Sequence, residues 1–284
     1  MIDRKQAGAA FDAYTSRYDP GNPMIRHKVE HTLRVAGNCE RIAESLHMND
    51  DDAAFAWFLG LLHDIGRFEQ VRRYGTFVDS VSVDHAEFGA DLLFRDGLIN
   101  EFPVRELSAG RLSLLETAIR LHNKLALPEN LDDETRCFCN LIRDADKADI
   151  FRVVTELSFE QRAGTSRGML QETEGACDAV MECVLQHRCV PRDIRKTRFD
   201  VYISHCCMAF EIVFPETREI IREQGYLWQL VTGCGGSGKP QCSEKERGQL
   251  QIVRKEIEAA WGGPLKEASS GGCPEAYNRS EGKL

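Results

Sequence analysis

Apolar residues recur at helical spacing along most of this chain, and one run departs from that period by being apolar almost all round. Residues 53–62 read Ala-Ala-Phe-Ala-Trp-Phe-Leu-Gly-Leu-Leu. Such a run is either a buried helix or a membrane span, and this one is about half the length a bilayer needs. A buried helix is therefore expected, and it ends in adjacent His63 and Asp64. An ionised carboxylate that leaves water costs several kcal/mol unless it is paired or bound to a metal.

The flanking pattern supplies further helices. Residues 3–18 predict a short one, broken at Asp19-Pro20-Gly21-Asn22-Pro23. The next spans 24–46 and carries two stripes, one of Val29, Leu33, Ala36, Ala43 and Leu46, the other of His27, His31, Val35 and Ile42. Two stripes mean burial on two sides, so this helix is expected to be central with its histidines inward. Asn49-Asp50-Asp51-Asp52 caps the apolar helix. Residues 68–84 show no clean period and predict a loop with a short turn beside the His-Asp pair. Ser82 or Asp84 caps a helix with His85, Gly89, Leu92 and Leu93 on one face, and Gly89 there implies a close approach by another element.

A helix starting near 103 or 111 ends at His122, which extends the stripe of Leu115, Ala118 and Ile119. A long helix from Asp132-Asp133 to about 157 places Cys139, Ile142, Asp146, Ile150 and Val153 on one face. An aspartate inside an apolar stripe is poorly explained by a satisfied core. Further amphipathic segments lie near 170–188, 199–213 and 215–230, and no strand alternation or internal repeat is visible. From Thr232 the composition shifts, and residues 232–284 hold 10 of the 23 glycines. The expected division is a helical domain over 1–231 and a flexible Gly/Ser/Cys-rich tail over 232–284, with one weakly docked helix at 244–261.

Charge and cysteine content narrow the classes. Lys+Arg 36 against Asp+Glu 45 gives a net charge of −9, which argues against general nucleic-acid binding. A small anionic substrate stays open, because a metal site can invert the local charge. The N-terminal residues lack an apolar signal core and no run approaches membrane-spanning length, so a soluble cytoplasmic protein with no membrane partner is expected. Eleven cysteines, an odd count without a zinc-type C-x-x-C pair, argue against a disulfide framework. Gly233 to Lys239 fits the G-x-x-x-x-G-K spacing of a phosphate-binding loop. Pro240, however, stands where Ser or Thr should hold magnesium, and the reading is rejected.

Taken singly, His85 and His122 read as satisfied core or helix-end histidines. Together with His31, His63, Asp64 and Asp146 they form a set separated by 32, 22, 37 and 24 residues, each about one helix plus a loop. That is how a helical bundle brings distant side chains to one core site. Four histidines and two carboxylates suit one or two first-row divalent ions, iron or manganese foremost and zinc as a further option. Asp64 is the natural bridge. His27 competes with His31, which lies deeper in its helix. Asp144 and Asp149 compete with Asp146, and Asp149, a turn later, could instead orient a ligand from behind.

The order His31, His63-Asp64, Asp146 resembles the HD superfamily of metal-dependent phosphohydrolases. The contexts His31-Thr32-Leu33-Arg34-Val35-Ala36, Leu61 to Arg67 and Arg143 to Asp149 share that likeness, which covers roughly residues 20–155. The added His85 and His122 resemble its binuclear members. The resemblance implies an all-α fold, an HD-domain helical bundle with additional C-terminal helices. It implies one metal held by His31, His63, Asp64 and Asp146 and a second by Asp64, His85 and His122. Two such ions lower the pKa of a bridging water and stabilise in-line attack on phosphorus. The implied activity is hydrolysis of a small phosphoester, for example a nucleotide. The Gly-Tyr-Pro segment of cyclic-di-GMP phosphodiesterases is absent, which argues against that substrate.

Where the family commonly has Lys, three residues after the HD aspartate, Arg67 keeps the charge and is placed to grip phosphate, with Lys124 as a second substrate-binding residue. Arg72, Arg73 and Tyr74 are further pocket residues. The alternative function is that of a mixed-valence di-iron oxygenase similar to myo-inositol oxygenase, which shares this ligand set.

Overall fold

The computed structural model describes residues 1–156, 174–233 and 242–267, and every regular element among them is a helix. Helix α1 (Arg4–Thr15) starts at Asp3, whose side chain accepts from the Gln6 amide. Helix α2 (Pro23–Ser45) begins with Pro23 in its first turn behind the Asn22 cap. Helix α3 (Asp50–Leu62) is capped by Asn49. Its run from Ala53 to Leu62 is buried except for the partly covered Trp57, so the all-round apolar pattern follows from neighbours on every side. Helix α2 packs against both α3 and the long α7 (Asp133–Glu156), while α6 (Ala109–Leu121, capped by Ser108) lies against α3 and α7. The centrality expected of α2 holds. However, Leu33 on its first stripe is exposed, and so is His27, four residues before the buried His31.

Residues 68–74 are not a loop. They belong to α4 (Gly66–Tyr74), which ends at Gly75 in the left-handed region with φ 65°. The amphipathic period is masked because Glu69 and Gln70 are buried beside Phe68 and Val71. Both polar residues are satisfied: Glu69 by Arg72 and Arg73 of its own helix, Gln70 by the segment that follows. Helix α5 (His85–Ala90) is capped by Asp84 and runs on into a π-helical turn, Asp91–Arg95. The close approach expected at Gly89 is found, and its partner is Gly66. A Cβ on Gly66 would lie 2.7 Å from both the Gly89 nitrogen and the His85 carbonyl oxygen. Two glycines thus let α4 and α5 cross backbone to backbone beside the His63-Asp64 turn. Tyr14 of α1 supports that turn from behind, its hydroxyl donating to the Ile65 carbonyl at 3.2 Å.

A second layer follows: α8 (Asp178–Leu185), α9 (Arg198–Cys206), α10 (Pro215–Gln224), α11 (Tyr226–Thr232) and α12 (Glu244–Trp261). Helices α10 and α11 pack on α7. Asp144 joins the layers by accepting from the Val213 and Phe214 amides at 3.0 and 2.8 Å. Helix α12, expected to be weakly docked, buries Leu250, Val253, Ile257 and Trp261 against α8, α9, α11 and the 207–211 turn. The Trp261 indole donates to the Ala209 carbonyl at 3.0 Å. The rest of the anticipated tail, residues 234–241 and 268–284, lies outside the described residues, as do the phosphate-loop look-alike beyond Gly233 and the segment 157–173. Among the described residues the cysteines are free, and no helix is long and apolar enough to cross a membrane.

Candidate metal centre

Each expected ligand is delivered by a separate local device. His31 comes from the inward stripe of α2, and His63 with Asp64 from the C-terminal end of α3. His85 opens α5, His122 closes α6, and Asp146 lies in the middle of α7. The structure brings all six together. Asp146 Oδ1 lies 3.2 Å from His31 Nε2 and 3.8 Å from His63 Nε2. His85 Nε2 and His122 Nε2 face each other at 3.0 Å. The four histidines and Asp64 are all buried.

The outer ring nitrogens show what this cluster is built to do. His63 Nδ1 and His122 Nδ1 each lie 2.7 Å from a backbone carbonyl, Gly60 and Ile119 respectively. A carbonyl can only accept, so these rings carry their proton on Nδ1 and leave Nε2 as a bare lone pair when neutral. His31 Nδ1 meets Asp149 at 2.7 Å and His85 Nδ1 meets Asp79 at 2.6 Å, the carboxylate version of the same arrangement. Turned inward, His31 Nε2, His63 Nε2 and Asp64 Oδ1 are buried without a hydrogen-bond partner among the described residues. Each such orphan costs about 1–3 kcal/mol if left so. Two imidazole lone pairs 3.0 Å apart repel unless a cation or proton lies between them. Ring nitrogens and carboxylate oxygens converging in this way fit divalent metal ions: ligand atoms of His31, His63 and Asp64, of His63, His122 and Asp146, and of Asp64, His85 and His122 lie within 4.8 Å of one another.

The electrostatics agree. Burial and the Lys28 charge push His31 towards neutrality, yet Asp146, Asp149 and Asp64 outweigh them and raise its pKa to about 10. Asp64 stays ionised against burial because Lys28 and His63 hold its carboxyl well below the usual range. His122 meets burial first and then the neighbouring His85 and His63, which together lower it to about 3. One side of the cluster therefore attracts positive charge strongly, and the other keeps a neutral imidazole ready to ligate.

Two neighbours, Lys28 and Asp79, were invisible in the sequence. Lys28 pairs with Asp64, and three residues of helix put it on the same side of α2 as His31. Asp79 carries no periodic signal at all. Asp149, one of the rivals to Asp146, is the residue behind His31, and Arg34 grips it with Nε at 2.5 Å and Nη2 at 3.0 Å. Asp144 instead points to the second layer, and His27 to solvent. Arg67 is largely buried; its Nη1 donates to Asp79, the Phe77 carbonyl and Gln70 at 2.7–2.9 Å, and its Nε lies 3.6 Å from Asp64 Oδ1. Lys124 Nζ pairs with Asp84 at 2.7 Å and Glu87 at 3.3 Å. Arg72 and Arg73 pair with Glu69, so they are engaged away from the centre.

Asp149→Ala is expected to weaken binding of the ion at His31 by about 10–100-fold, because the ring loses the partner that sets its tautomer. Titration of the metal-free protein with Mn2+ checks this, with a thermal melt to separate affinity from unfolding. An unchanged affinity would mean that Asp149 serves only the packing of α7 on α2.

No curated protein and no solved structure matches the chain. The family model described as HD domain matches residues 29–152. That span begins just before His31 and ends just after Asp149, and it encloses every candidate ligand of the centre. Residues 29–152 are thus an HD domain, the domain of a superfamily of metal-dependent phosphohydrolases.

Proposed function

We propose that this protein is a binuclear phosphohydrolase that cleaves a small phosphoester, such as a nucleotide, using two iron or manganese ions. The observation that carries this reading is the position of Asp64. Its Oδ2 lies 3.4 Å from His31 Nε2 and 3.2 Å from His63 Nε2. Its Oδ1 lies 3.5 Å from His85 Nε2 and 3.8 Å from His122 Nε2. One carboxylate is thus shared by two donor sets, one oxygen to each. When bound, the two ions supply Lewis acidity and a water acidic enough to attack phosphorus near neutral pH.

The chain's own residues hold the ligands and gather charge around the substrate. Lys28 and Arg67 flank the Phe77 ring, at 5.6 and 5.5 Å from its centroid, and both stand beside Asp64. On this reading they are the cations that attract a phosphoryl group to the α2–α4 edge. Lys124, held by Asp84 and Glu87, lies on the α5–α6 edge and can contribute only from the periphery.

The test is a panel of phosphomonoesters and phosphodiesters offered to protein purified anaerobically and loaded with Fe2+ or Mn2+. Metal-dependent product release, abolished by chelation, is the expected result. Substrate-dependent oxygen uptake by the iron form without phosphoester cleavage would overturn it in favour of a di-iron oxygenase.

A further inference from the structure

We propose that Asp79 is a positioning residue for the second ion: it fixes the His85 tautomer and, through the same carboxylate, the Arg67 guanidinium, so that both flank one oxygen of Asp64. The proposal rests on the binuclear reading of the site. It concerns a residue outside the ligand set, in the short turn Asp79–Val81 between α4 and α5.

The geometry is specific. Asp79 Oδ2 lies 2.6 Å from His85 Nδ1, and its Oδ1 accepts from Arg67 Nη1 at 2.8 Å and from Gln70 Nε2 at 3.0 Å. Held in this way, His85 Nε2 and Arg67 Nε reach the same atom, Asp64 Oδ1, at 3.5 and 3.6 Å. The Asp79 carboxylate is itself held. Buried Gln70 binds the Ser82 hydroxyl at 2.9 Å and the Val83 carbonyl at 3.1 Å, and the Ser82 hydroxyl donates back to the Val78 carbonyl at 2.8 Å. The turn is therefore clamped to α4 on both sides of Asp79. Its three partners there are all donors, and an ionised carboxylate is the only side chain of this size that accepts from all three.

That last point makes asparagine a sharp probe. Asp79→Asn keeps the shape but offers one acceptor oxygen instead of two. If the amide oxygen stays with Arg67 and Gln70, the NH2 faces His85 Nδ1 and shifts the imidazole proton to Nε2, the atom needed for the ion. A flipped amide would set its NH2 against two donors, Arg67 and Gln70, so the first orientation is the one expected. Either way the pair is broken without removing a ligand, the same logic by which an isosteric amide upsets a catalytic histidine by imposing the wrong tautomer.

The experiment uses the full chain with Mn2+ as the probe. Wild type is expected to bind two equivalents, and Asp79→Asn one tightly and the other at least ten-fold more weakly. In the metal-free proteins, imidazole 15N shifts should report Nδ1–H at His85 in wild type and Nε2–H in the variant, a change that a merely structural role would not produce. Asp79→Ala, which imposes no tautomer, should weaken the second ion but leave His85 free to take Nδ1–H. Two ions at wild-type affinity in Asp79→Asn, with His85 still Nδ1–H, would overturn the assignment. So would Nε2–H at His85 in wild type, a measurement that needs no variant to fold. Fewer than two ions in wild type would instead refute the binuclear reading, and the His85 tautomer would still decide the role of Asp79.

Discussion

Asp64→Ala is expected to empty both metal positions and to lower kcat/KM by about 10⁴-fold or more, on the scale seen when one member of a catalytic unit is removed. The reason is that each oxygen of Asp64 serves a different donor set, Oδ2 with His31 and His63 and Oδ1 with His85 and His122. Without it the second position keeps two imidazole nitrogens and no anionic ligand. The first keeps His31, His63 and Asp146 but loses half of its carboxylate charge. Lys28, deprived of its partner, is near enough to the surface to find solvent, so the fold should survive. Metal analysis should fall from two ions per chain to less than one, while the metal-free melting temperature stays close to that of wild type. A variant that keeps two ions and normal turnover would refute the shared role of Asp64.

The second large effect concerns stability. Truncation after Thr232 is expected to leave a chain that no longer folds cooperatively. It removes Leu250, Val253, Ile257 and Trp261, all buried by α12, and uncovers the apolar faces of α8, α9 and α11 beneath them. At about 1.5–3 kcal/mol for each large apolar side chain, the loss is about 6–12 kcal/mol. Whole domains are stable by only about 5–15 kcal/mol. A missing cooperative transition by circular dichroism, with aggregation, is the expected observation. Trp261→Ala is the milder version and should cost about 3–5 kcal/mol by urea unfolding, since it creates a cavity and also strips the Ala209 carbonyl of its donor. A truncated chain that melts like the full one would show that α12 only decorates the domain. The composition shift at Thr232 points the opposite way, because glycine-rich flanks say nothing about what a helix between them can cover.

The difference between what was legible and what was not follows the range of the forces involved. The buried helix ending in His63-Asp64, the Asp84 cap before His85, and the stripes that His122 and Asp146 extend are local features. Period, cap chemistry and the cost of an inward charge act within a few residues, so the six residues that meet at the centre could all be named as candidates from the sequence. Helix α4 was missed for the complementary reason. Burial of Glu69 and Gln70 destroys its apolar period, and burial is tolerable only because Arg72 and Arg73 neutralise one and the following turn satisfies the other. Leu33 keeps the period of α2 yet stands in solvent, since a pattern along one helix does not say which positions a neighbour covers.

By itself, then, the sequence determined an all-helical fold and the identity of the inward polar residues, because each rests on spacing along one helix, while the likeness to the HD superfamily rests on the order of those residues along the chain. Only the tertiary structure decided which oxygen of Asp64 meets which histidines, that Asp149 stands behind His31, and that Arg67 is gripped by Asp79. It also decided that α12 belongs to the core. These depend on distances between residues far apart in the chain, and such distances are set by how helices cross and pack, which no local period encodes.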